Sequence, residues 1–290
     1  MKNGWIILDK TPGLFSRTAG GRVARMLGTK KFGHIGTLDP MASGVLAIAI
    51  GDATKMIPFV EEQGGPEKEY LFSLQFGFET DTLDITGREM RRDDFIPEQG
   101  AVRAALGAFI GDIMQTPPAY SAVHISGRRA YEVVRGGGTP EIPPRCVHIS
   151  ELEFTGCTGP SWHFRVRCRR GTYVRSLARD IATKCGAMAT VDMIRRTVSG
   201  RATLKSAVTL DFLENLFNNG GDIGQYLMSV DYGLGDIPVC NLSDKDASLY
   251  KNGGFIEIAG GNGLRRVYGG DTFIGIGMIT DGTLRPKRTI

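Results

Sequence analysis

The feature that most constrains how this chain can fold is a short apolar run at residues 45–50. Its letters are VLAIAI and a glycine stands at each end, a pattern typical of a strand buried on both faces. A loop that carries His34 and the pair Asp39-Pro40 comes directly before it. Because proline disfavours the α region for the preceding residue, we expect Asp39 in an extended or turn conformation. The stretch therefore predicts a polar loop held by a rigid strand, where reactive side chains often lie.

Length and composition exclude several classes of protein. The chain has 290 residues, of which 41% are hydrophobic and 23% charged, as in globular proteins with one large domain and a small one. No run of about 18 apolar residues occurs and the N-terminus does not resemble a signal peptide, so we expect a cytoplasmic protein without membrane contact. The net charge of +4 permits a polyanionic partner but does not require one.

The cysteines and histidines give no indication of a metal. The five cysteines are widely spaced without a CxxC pair, and the four histidines lack an HExxH spacing. Neither a phosphate-binding GxxxxGK[ST] nor a dinucleotide-binding GxGxxG appears in a strand–helix context. We therefore expect no metal and no cofactor.

Two segments alternate between apolar and polar residues and predict strands of an antiparallel sheet. In residues 68–78, which follow a predicted loop at 63–66, aromatic residues including Tyr70 share one face. Judged from the pattern alone, Tyr70 is more often a core aromatic residue than a functional one. Residues 162–168 place apolar side chains on one face and Arg165 and Arg167 on the other, a row of cations suited to phosphate groups.

Several helix starts are also predicted. Ser16, Thr209 and Ser243 stand where side chains cap helices. If Thr172 caps another helix, Arg175 falls at its third position, where a cation opposes the helix dipole. An anionic partner would offset that penalty, and we expect this helix terminus to be exposed.

Residues 33–46 and 51–55 closely resemble the catalytic motif of bacterial tRNA pseudouridine-55 synthases, the TruB family. That motif has the form G-H-x-G-x-L-D-P-x-A-x-G-V-L, followed by G-x-A-T-K. Further segments resemble family motifs in the same order along the chain: a K-x-Y at 68–70, T-D-T-x-D-x-x-G at 80–87, Q-x-P-P-x-Y-S-A at 115–122, G-T-Y-V-R at 171–175 and an L-R-R-like segment at 194–196.

The chain departs from the family at two positions. The family's L-D-K-P-x-G motif is LDKTPG here, with one residue extra or shifted, and His124 stands where a lysine is common. A basic segment at 127–138, GRRAYEVVRGGG, resembles a bacterial insertion that packs against the tRNA arm.

The resemblance implies an α+β fold: a mixed, largely antiparallel sheet with flanking helices, followed by a small β-rich module. After residue 236 the sequence changes to short apolar runs divided by glycines, which resembles the RNA-binding PUA domain of this family. We therefore expect a catalytic domain at 1–236 and a PUA-like domain at 237–290.

The resemblance also implies the site. Asp39 would act as nucleophile or base toward the ribose, Arg175 would form a two-pronged ion pair with it, and Tyr70 would stack on the target base. His34 would stabilise the flipped-out arrangement of the substrate. The remaining candidates for substrate or RNA binding are Lys10, Ile194, Asp84, Arg165 and Arg167.

The implied reaction isomerises uridine 55 in the T arm of tRNA, by a monomer without guide RNA. Attack at C1′, attack at C6 and deprotonation of the sugar stay open as chemical paths. Three other functions also stay open: an RNA chaperone without catalysis, a guide-RNA-dependent pseudouridine synthase, and a glycoside hydrolase that uses Asp39 and Asp84 as a carboxylate pair.

Overall fold

A computed structural model describes residues 2–62, 67–125 and 127–290. The loop that the sequence predicts at residues 63–66 lies outside the described residues. In chain order the strands are β1 (Gly4–Lys10), β2 (Phe32–Ile35), β3 (Ser43–Ile50), β4 (Lys68–Phe76), β5 (Phe78–Thr80), β6 (Glu89–Arg92), β7 (Gly111–Gln115), β8 (His124–Ile125), β9 (Arg128–Arg129), β10 (Arg145–Thr158), β11 (Ser161–Cys168), β12 (Ala189–Ser199), β13 (Ala202–Thr203), β14 (Val208–Thr209), β15 (Val239–Leu242), β16 (Ile256–Glu257), β17 (Gly263–Gly269), β18 (Thr272–Thr280) and β19 (Thr283–Thr289).

Seven α-helices connect these strands within the described part of the chain. They are α1 (Ser16–Met26), α2 (Ile57–Glu62), α3 (Gln99–Leu106), α4 (Ala130–Arg135), α5 (Val174–Lys184), α6 (Leu210–Asn218) and α7 (Asp244–Lys251). None of the helices in residues 2–62, 67–125 and 127–290 combines the length and the apolar character that a membrane crossing requires.

One ten-stranded sheet organises the first part of the chain. Its order is β14-β1-β3-β12-β4-β11-β10-β7, with β2 added beside β3 and β13 beside β12. The pairs β1–β14 and β3–β12 are parallel, and the other neighbours are antiparallel. All eight residues of β3 are buried, as the VLAIAI run predicts. The predicted mixed, largely antiparallel sheet with flanking helices is confirmed.

The two faces of this sheet are covered differently. On one face, Ile6 and Leu8 of β1 pack in a core with Val23 of α1 and Leu177 of α5. On the other face, Trp5 and Ile7 join a second core that includes residues of β18 near the C-terminus. Because side chains alternate along a strand, β1 contributes to both cores. Helices α1, α3, α5 and α6 therefore lie on one side of the sheet, and α2 lies with the C-terminal strands on the other.

The C-terminal strands form their own five-stranded sheet in the order β15-β17-β18-β19-β16. Cys240, Tyr250 and Val267 lie in a small core between this sheet and α7. The predicted β-rich module is therefore present. Phe273 and Ile276 nevertheless pack in the second core with Trp5, so apolar contacts cross the boundary expected between residues 236 and 237. That boundary stays a prediction.

Two of the three predicted helix caps are confirmed. Thr209 Oγ1 accepts from Phe212 N, and Ser243 Oγ accepts from Asp246 N. The prediction for Ser16 is wrong because its hydroxyl bonds to another segment: Ser16 Oγ donates to Leu38 O and accepts from Leu38 N, both at 2.9 Å. Helix α1 is thereby tied to the loop of Asp39.

Candidate active site

The Asp39 loop is anchored at both ends by paired strands. Strands β2 and β3 lie antiparallel, with His34 opposite Ile48, and the loop connects them. Within the loop, Ala42 N donates to Asp39 O at 3.1 Å and closes a turn. The Asp39 side chain is 36% exposed, so its carboxylate can reach a ligand. Residues 33–50 thus form the predicted polar loop on a buried strand.

Arg175 lies at the start of α5, but not in the predicted setting. The helix begins at Val174, which makes Arg175 its second residue rather than its third, and no side chain caps it. Thr172 does not act as the cap because its hydroxyl donates to Arg169 O at 3.0 Å. The Arg175 side chain is only 4% exposed, so the expectation of an exposed helix terminus is wrong.

The Arg175 guanidinium binds Asp39 through one nitrogen. Nε donates to Asp39 Oδ2 at 2.8 Å, while Nη1 donates to Thr82 O at 2.6 Å and Nη2 to Tyr120 O at 3.0 Å. The predicted two-pronged ion pair is therefore wrong: the planar group spreads its donors over three loops instead. Three segments that are far apart in sequence meet at this one side chain.

Asp84 lies on the other side of the same guanidinium. Its Oδ2 is 3.5 Å from Arg175 Nη1, and its side chain is 6% exposed. Asp84 Oδ1 accepts from Thr82 Oγ1 at 3.0 Å and from Thr86 N at 3.0 Å. These bonds fix the carboxylate within its own loop, so Asp84 faces Arg175 rather than open solvent.

A cavity of about 280 Å³ opens beside Asp39. Tyr70 and Ile194 line it, as do Lys68, Arg145 and Tyr173. A second cavity, of about 250 Å³, is lined by Trp5, Tyr232 and other residues, none of them a predicted site residue. The cavity beside Asp39 is therefore the candidate active site.

Adjacent strands position Tyr70 and Ile194 on the cavity wall. Strand β12 pairs with β4, so that Ile194 lies opposite Phe72 and Arg196 opposite Tyr70. Tyr70 is 8% exposed and also belongs to the main core. Burial raises the pKa of its phenol above the usual value, which keeps the hydroxyl protonated.

Lys10 and His34 support the loop from behind. Lys10 is fully buried, and its Nζ donates to Thr11 O at 2.9 Å, Leu14 O at 2.8 Å and Pro40 O at 3.3 Å. The shifted LDKTPG segment therefore still delivers a lysine to the Asp39 loop. Burial lowers the pKa of Lys10 to about 8, against a raising effect of Asp39. Burial also lowers the pKa of His34, whose Nε2 lies 3.1 Å from Thr37 Oγ1.

Arg165 and Arg167 are placed on β11 as predicted, but glutamates surround them. Arg165 Nη1 lies 2.7 Å from Glu151 Oε2, and Nη2 lies 3.1 Å from Glu153 Oε2. Arg167 Nε lies 2.8 Å from Glu69 Oε2. Neither arginine is among the described residues that line the cavity. Their role in RNA binding stays a prediction.

Arg196 is a buried charge that the sequence analysis did not single out. Its side chain is 0% exposed, and Nε donates to Val45 O at 2.7 Å. Nη1 and Nη2 are buried and have no partner among the residues that the structure describes. The signal in the sequence was the second arginine of the L-R-R-like segment, where only Ile194 received a role.

Glycines allow Arg196 to come this close to the loop. At Gly44, where φ is +103°, an added Cβ would lie 2.1 Å from Arg196 O. At Gly36, where φ is +63°, it would lie 3.0 Å from Arg196 Nη1 and 3.1 Å from Lys68 Nζ. Two of the glycines in the catalytic-type motif are thus required by the close approach of β12 and β4.

Comparisons with known proteins agree with this arrangement. The family model described as TruB family pseudouridylate synthase (N terminal domain) matches residues 24–174, and the model described as Pseudouridine synthase II TruB, C-terminal, matches residues 238–290. A tRNA pseudouridine synthase B from Gluconacetobacter diazotrophicus is 36% identical over 300 residues, covering 99% of this chain and 97% of that protein. One from Caulobacter sp. strain K31 is 41% identical over 246 residues, covering 84% and 78%.

Solved structures share the fold. A chain in the crystal structure of a Cbf5-Nop10-Gar1 complex matches with a TM-score of 0.72 at 22% identity, covering 99% of this chain and 85% of that one. A chain in the crystal structure of an archaeal box H/ACA sRNP Nop10-Cbf5 complex matches with a TM-score of 0.68 at 24% identity, covering 96% and 79%. Because a family model covers more than half of the sequence and the listed relatives align over most of it, this chain belongs to the TruB family of pseudouridylate synthases, which are isomerases.

Proposed function

We propose that this chain converts uridine 55 in the T arm of tRNA to pseudouridine, without cofactor or guide RNA. The observation that carries the proposal is the contact of Arg175 Nε with Asp39 Oδ2 at 2.8 Å, beside a cavity lined by Tyr70. Relatives named tRNA pseudouridine synthase B support tRNA as the substrate.

Asp39 is the group that acts on the ribose. Arg175 places a positive charge beside Asp39 and donates a hydrogen bond to its Oδ2. Among the described residues, no side chain donates a hydrogen bond to Asp39 Oδ1, so this oxygen can approach the sugar. The buried guanidinium fixes the orientation of the carboxylate, which is the condition for an effective nucleophile or base.

The remaining site residues hold the base and the loop. A base inside a stack cannot reach Asp39, so the target nucleotide must be extruded into the cavity. Tyr70 offers an aromatic face there and Ile194 an apolar wall. His34 supports the extruded arrangement from β2, Lys10 holds the Asp39 loop, and Asp84 orients Arg175.

The C-terminal sheet is proposed as the PUA-like RNA-binding domain, residues 237–290. An exposed aromatic and a cation meet on it: the Arg285 guanidinium lies 4.5 Å from the centre of the Phe255 ring, which is 59% exposed. Aromatic and cationic side chains of this kind suit RNA. Because this sheet shares a core with β1, we propose that both domains act in one monomer.

The structure does not favour the glycoside hydrolase as an alternative. A carboxylate pair needs both acids to face the sugar, whereas Asp84 Oδ1 is held by Thr82 and Thr86 and Oδ2 faces Arg175. The test is incubation of the purified protein with an unmodified tRNA transcript, followed by position-resolved pseudouridine mapping. Pseudouridine at position 55, absent with Asp39→Asn, is the expected result. If the protein binds tRNA but forms no pseudouridine at any position, the alternative function of an RNA chaperone without catalysis would be favoured instead.

A further inference from the structure

Lys68 is a cation in the candidate active site to which no role has been given. It is the first residue of β4, and Tyr70 follows two positions later on the same face of the strand. Both side chains line the cavity together with Asp39. In the part of the chain that the structure describes, no carboxylate lies within 4.0 Å of Lys68 Nζ and no hydrogen-bond acceptor is bound to it.

The guanidinium of Arg196, whose Nη1 and Nη2 have no hydrogen-bond partner in the described chain, lies near Lys68. Arg196 Nη1 and Lys68 Nζ both flank the point beside Gly36 where a Cβ would stand, at 3.0 and 3.1 Å. Lys68 is half-buried and Arg196 is fully buried, so the two like charges disfavour each other. An amine gives up its proton far more easily than a guanidinium. Burial, with a further effect of Arg196, lowers the pKa of Lys68 to about 8.

The other groups that face Lys68 do not cancel this effect. Cys168 lies opposite it on β11, and burial raises the pKa of that thiol to about 11, so the thiol stays neutral. Glu61 at the end of α2 favours the ammonium form, and Arg170 beyond β11 disfavours it. Near neutral pH, part of the Lys68 population is therefore a free amine with an available lone pair.

Among the described residues, the other titratable groups at the cavity are committed elsewhere, and the neutral imidazole of His34 does not line the cavity. Asp39 is engaged by Arg175 and reserved for the sugar. Burial raises the pKa of Tyr70, so its phenol stays neutral and supplies no phenolate that could act as a base. Lys10 donates to three carbonyl oxygens and must stay protonated to do so.

We propose that Lys68 is the general base that removes the proton from C5 of the uracil ring once the C5–C1′ bond has formed. This inference rests on the proposed function. At that stage C5 carries both its hydrogen and the sugar. Lys68 Nζ takes the proton, the C5–H electron pair restores the C5–C6 double bond, and the C6–N1 π electrons move to N1. N1 then takes a proton from the ammonium or from water, so the product is an isomer and nothing is consumed.

A binding role for Lys68, in which it holds a substrate phosphate, is less well supported. Two cations could form an anion site, but Arg196 Nη1 and Nη2 are buried and Arg196 does not line the cavity. The buried guanidinium therefore cannot contact a ligand in this arrangement. Arg196 therefore acts on the ligand only indirectly, by lowering the pKa of Lys68.

The experiment uses tRNA with hydrogen or deuterium at C5 of uridine 55 and measures single-turnover rates of pseudouridine formation. The variants are Lys68→Met, which removes the amine, and Lys68→Arg, which keeps a charge that cannot be deprotonated. Lys30→Met removes one exposed lysine and serves as the control. Tritium release from 5-tritiated uridine follows the loss of the C5 proton directly, and filter binding measures tRNA affinity.

We expect both Lys68 variants to lose about a hundredfold in rate, the scale of general base catalysis, with tRNA affinity unchanged. Proton removal then limits the rate, so both variants show a large deuterium isotope effect at every pH. In the wild type the isotope effect grows as pH falls below about 8, because the free amine is lost by protonation.

The proposal would be overturned if Lys68→Met were slow without an isotope effect and bound tRNA more weakly, and if Lys68→Arg restored both rate and binding. Lys68 would then be a phosphate contact rather than a base. Rates near wild type in both variants would also overturn the proposal. If the wild-type protein forms no pseudouridine at all, the proposed function fails, and this inference fails with it.

Discussion

Two sets of arginines, Arg175 on α5 and the pair Arg165 and Arg167 on β11, were both predicted from the sequence as partners of anions. In the structure their surroundings differ sharply. The Arg175 side chain is 4% exposed and binds one carboxylate and two backbone carbonyls. Those of Arg165 and Arg167 are 31% and 41% exposed and lie among glutamates.

The difference shows what a local pattern leaves out. Alternation along β11 correctly predicts which side chains leave the core. It does not show that Glu153 lies opposite Arg165, or that Glu69 and Glu151 lie opposite Arg167 on the two neighbouring strands. Opposite charges at such positions form cross-strand pairs. The cationic row is thus largely neutralised within the sheet, whereas Arg175 serves the Asp39 loop.

The largest effect should come from removing the anion that Arg175 serves. Asp39→Asn is nearly isosteric but has no negative charge, so we expect single-turnover pseudouridine formation to be abolished. Affinity for tRNA should stay within about tenfold, because phosphate contacts dominate it. Substantial turnover by the pure variant, with mapping of position 55 as the readout, would remove Asp39 from the reacting role.

The next effect should come from Arg175 itself. Arg175→Lys keeps the charge but cannot reach Asp39, Thr82 and Tyr120 together, so both Arg175→Lys and Arg175→Met should lower the rate by at least about a hundredfold. Because Arg175 is buried, Arg175→Met also leaves two carbonyl groups without a donor, which costs about 1–3 kcal/mol for each unsatisfied group.

Thermal unfolding of both variants separates these consequences. We expect Arg175→Met to melt below the wild type and Arg175→Lys to lie between them, with circular dichroism at the assay temperature as the folding control. A folded Arg175→Met protein that works near the wild-type rate would contradict the pairing of Arg175 with Asp39.

The parts of the candidate site that lie within one continuous segment of the chain were predictable from the sequence. Residues 33–50 place Asp39, the loop and β3 as the sequence indicated, because proline, glycine and apolar runs act locally. The single-nitrogen contact of Arg175 was not predictable, because its other acceptors are backbone carbonyls that carry no side-chain signal. The burial of Arg196 was also not predictable, because it results from β3, β4 and β12 meeting in the fold.

A smaller effect is expected at Asp84, which contacts the arginine rather than the substrate. Asp84→Asn keeps the shape but loses the charge 3.5 Å from Arg175 Nη1, so the rate should fall by about tenfold, which corresponds to about 1.4 kcal/mol of transition-state stabilisation. Asp81→Asn, a change in the same loop without an Arg175 contact, is the control. Equal rates for Asp84→Asn and wild type would show that the guanidinium keeps its position without the charge of Asp84.

The smallest effect should come from β11. In Arg165→Gln the glutamates that held the arginine stay near the surface and can be solvated, so we expect turnover unchanged and tRNA affinity lowered by less than about threefold, as for other exposed ion pairs. The decisive measurement is the dependence of tRNA affinity on salt. A residue that contacts a phosphate reduces the slope of log affinity against log salt by about one when it is removed. We expect no such change for Arg165→Gln or Arg167→Gln. A slope lower by one in either variant would show that tRNA displaces the glutamates, and the basic face of β11 would then be part of the RNA surface after all.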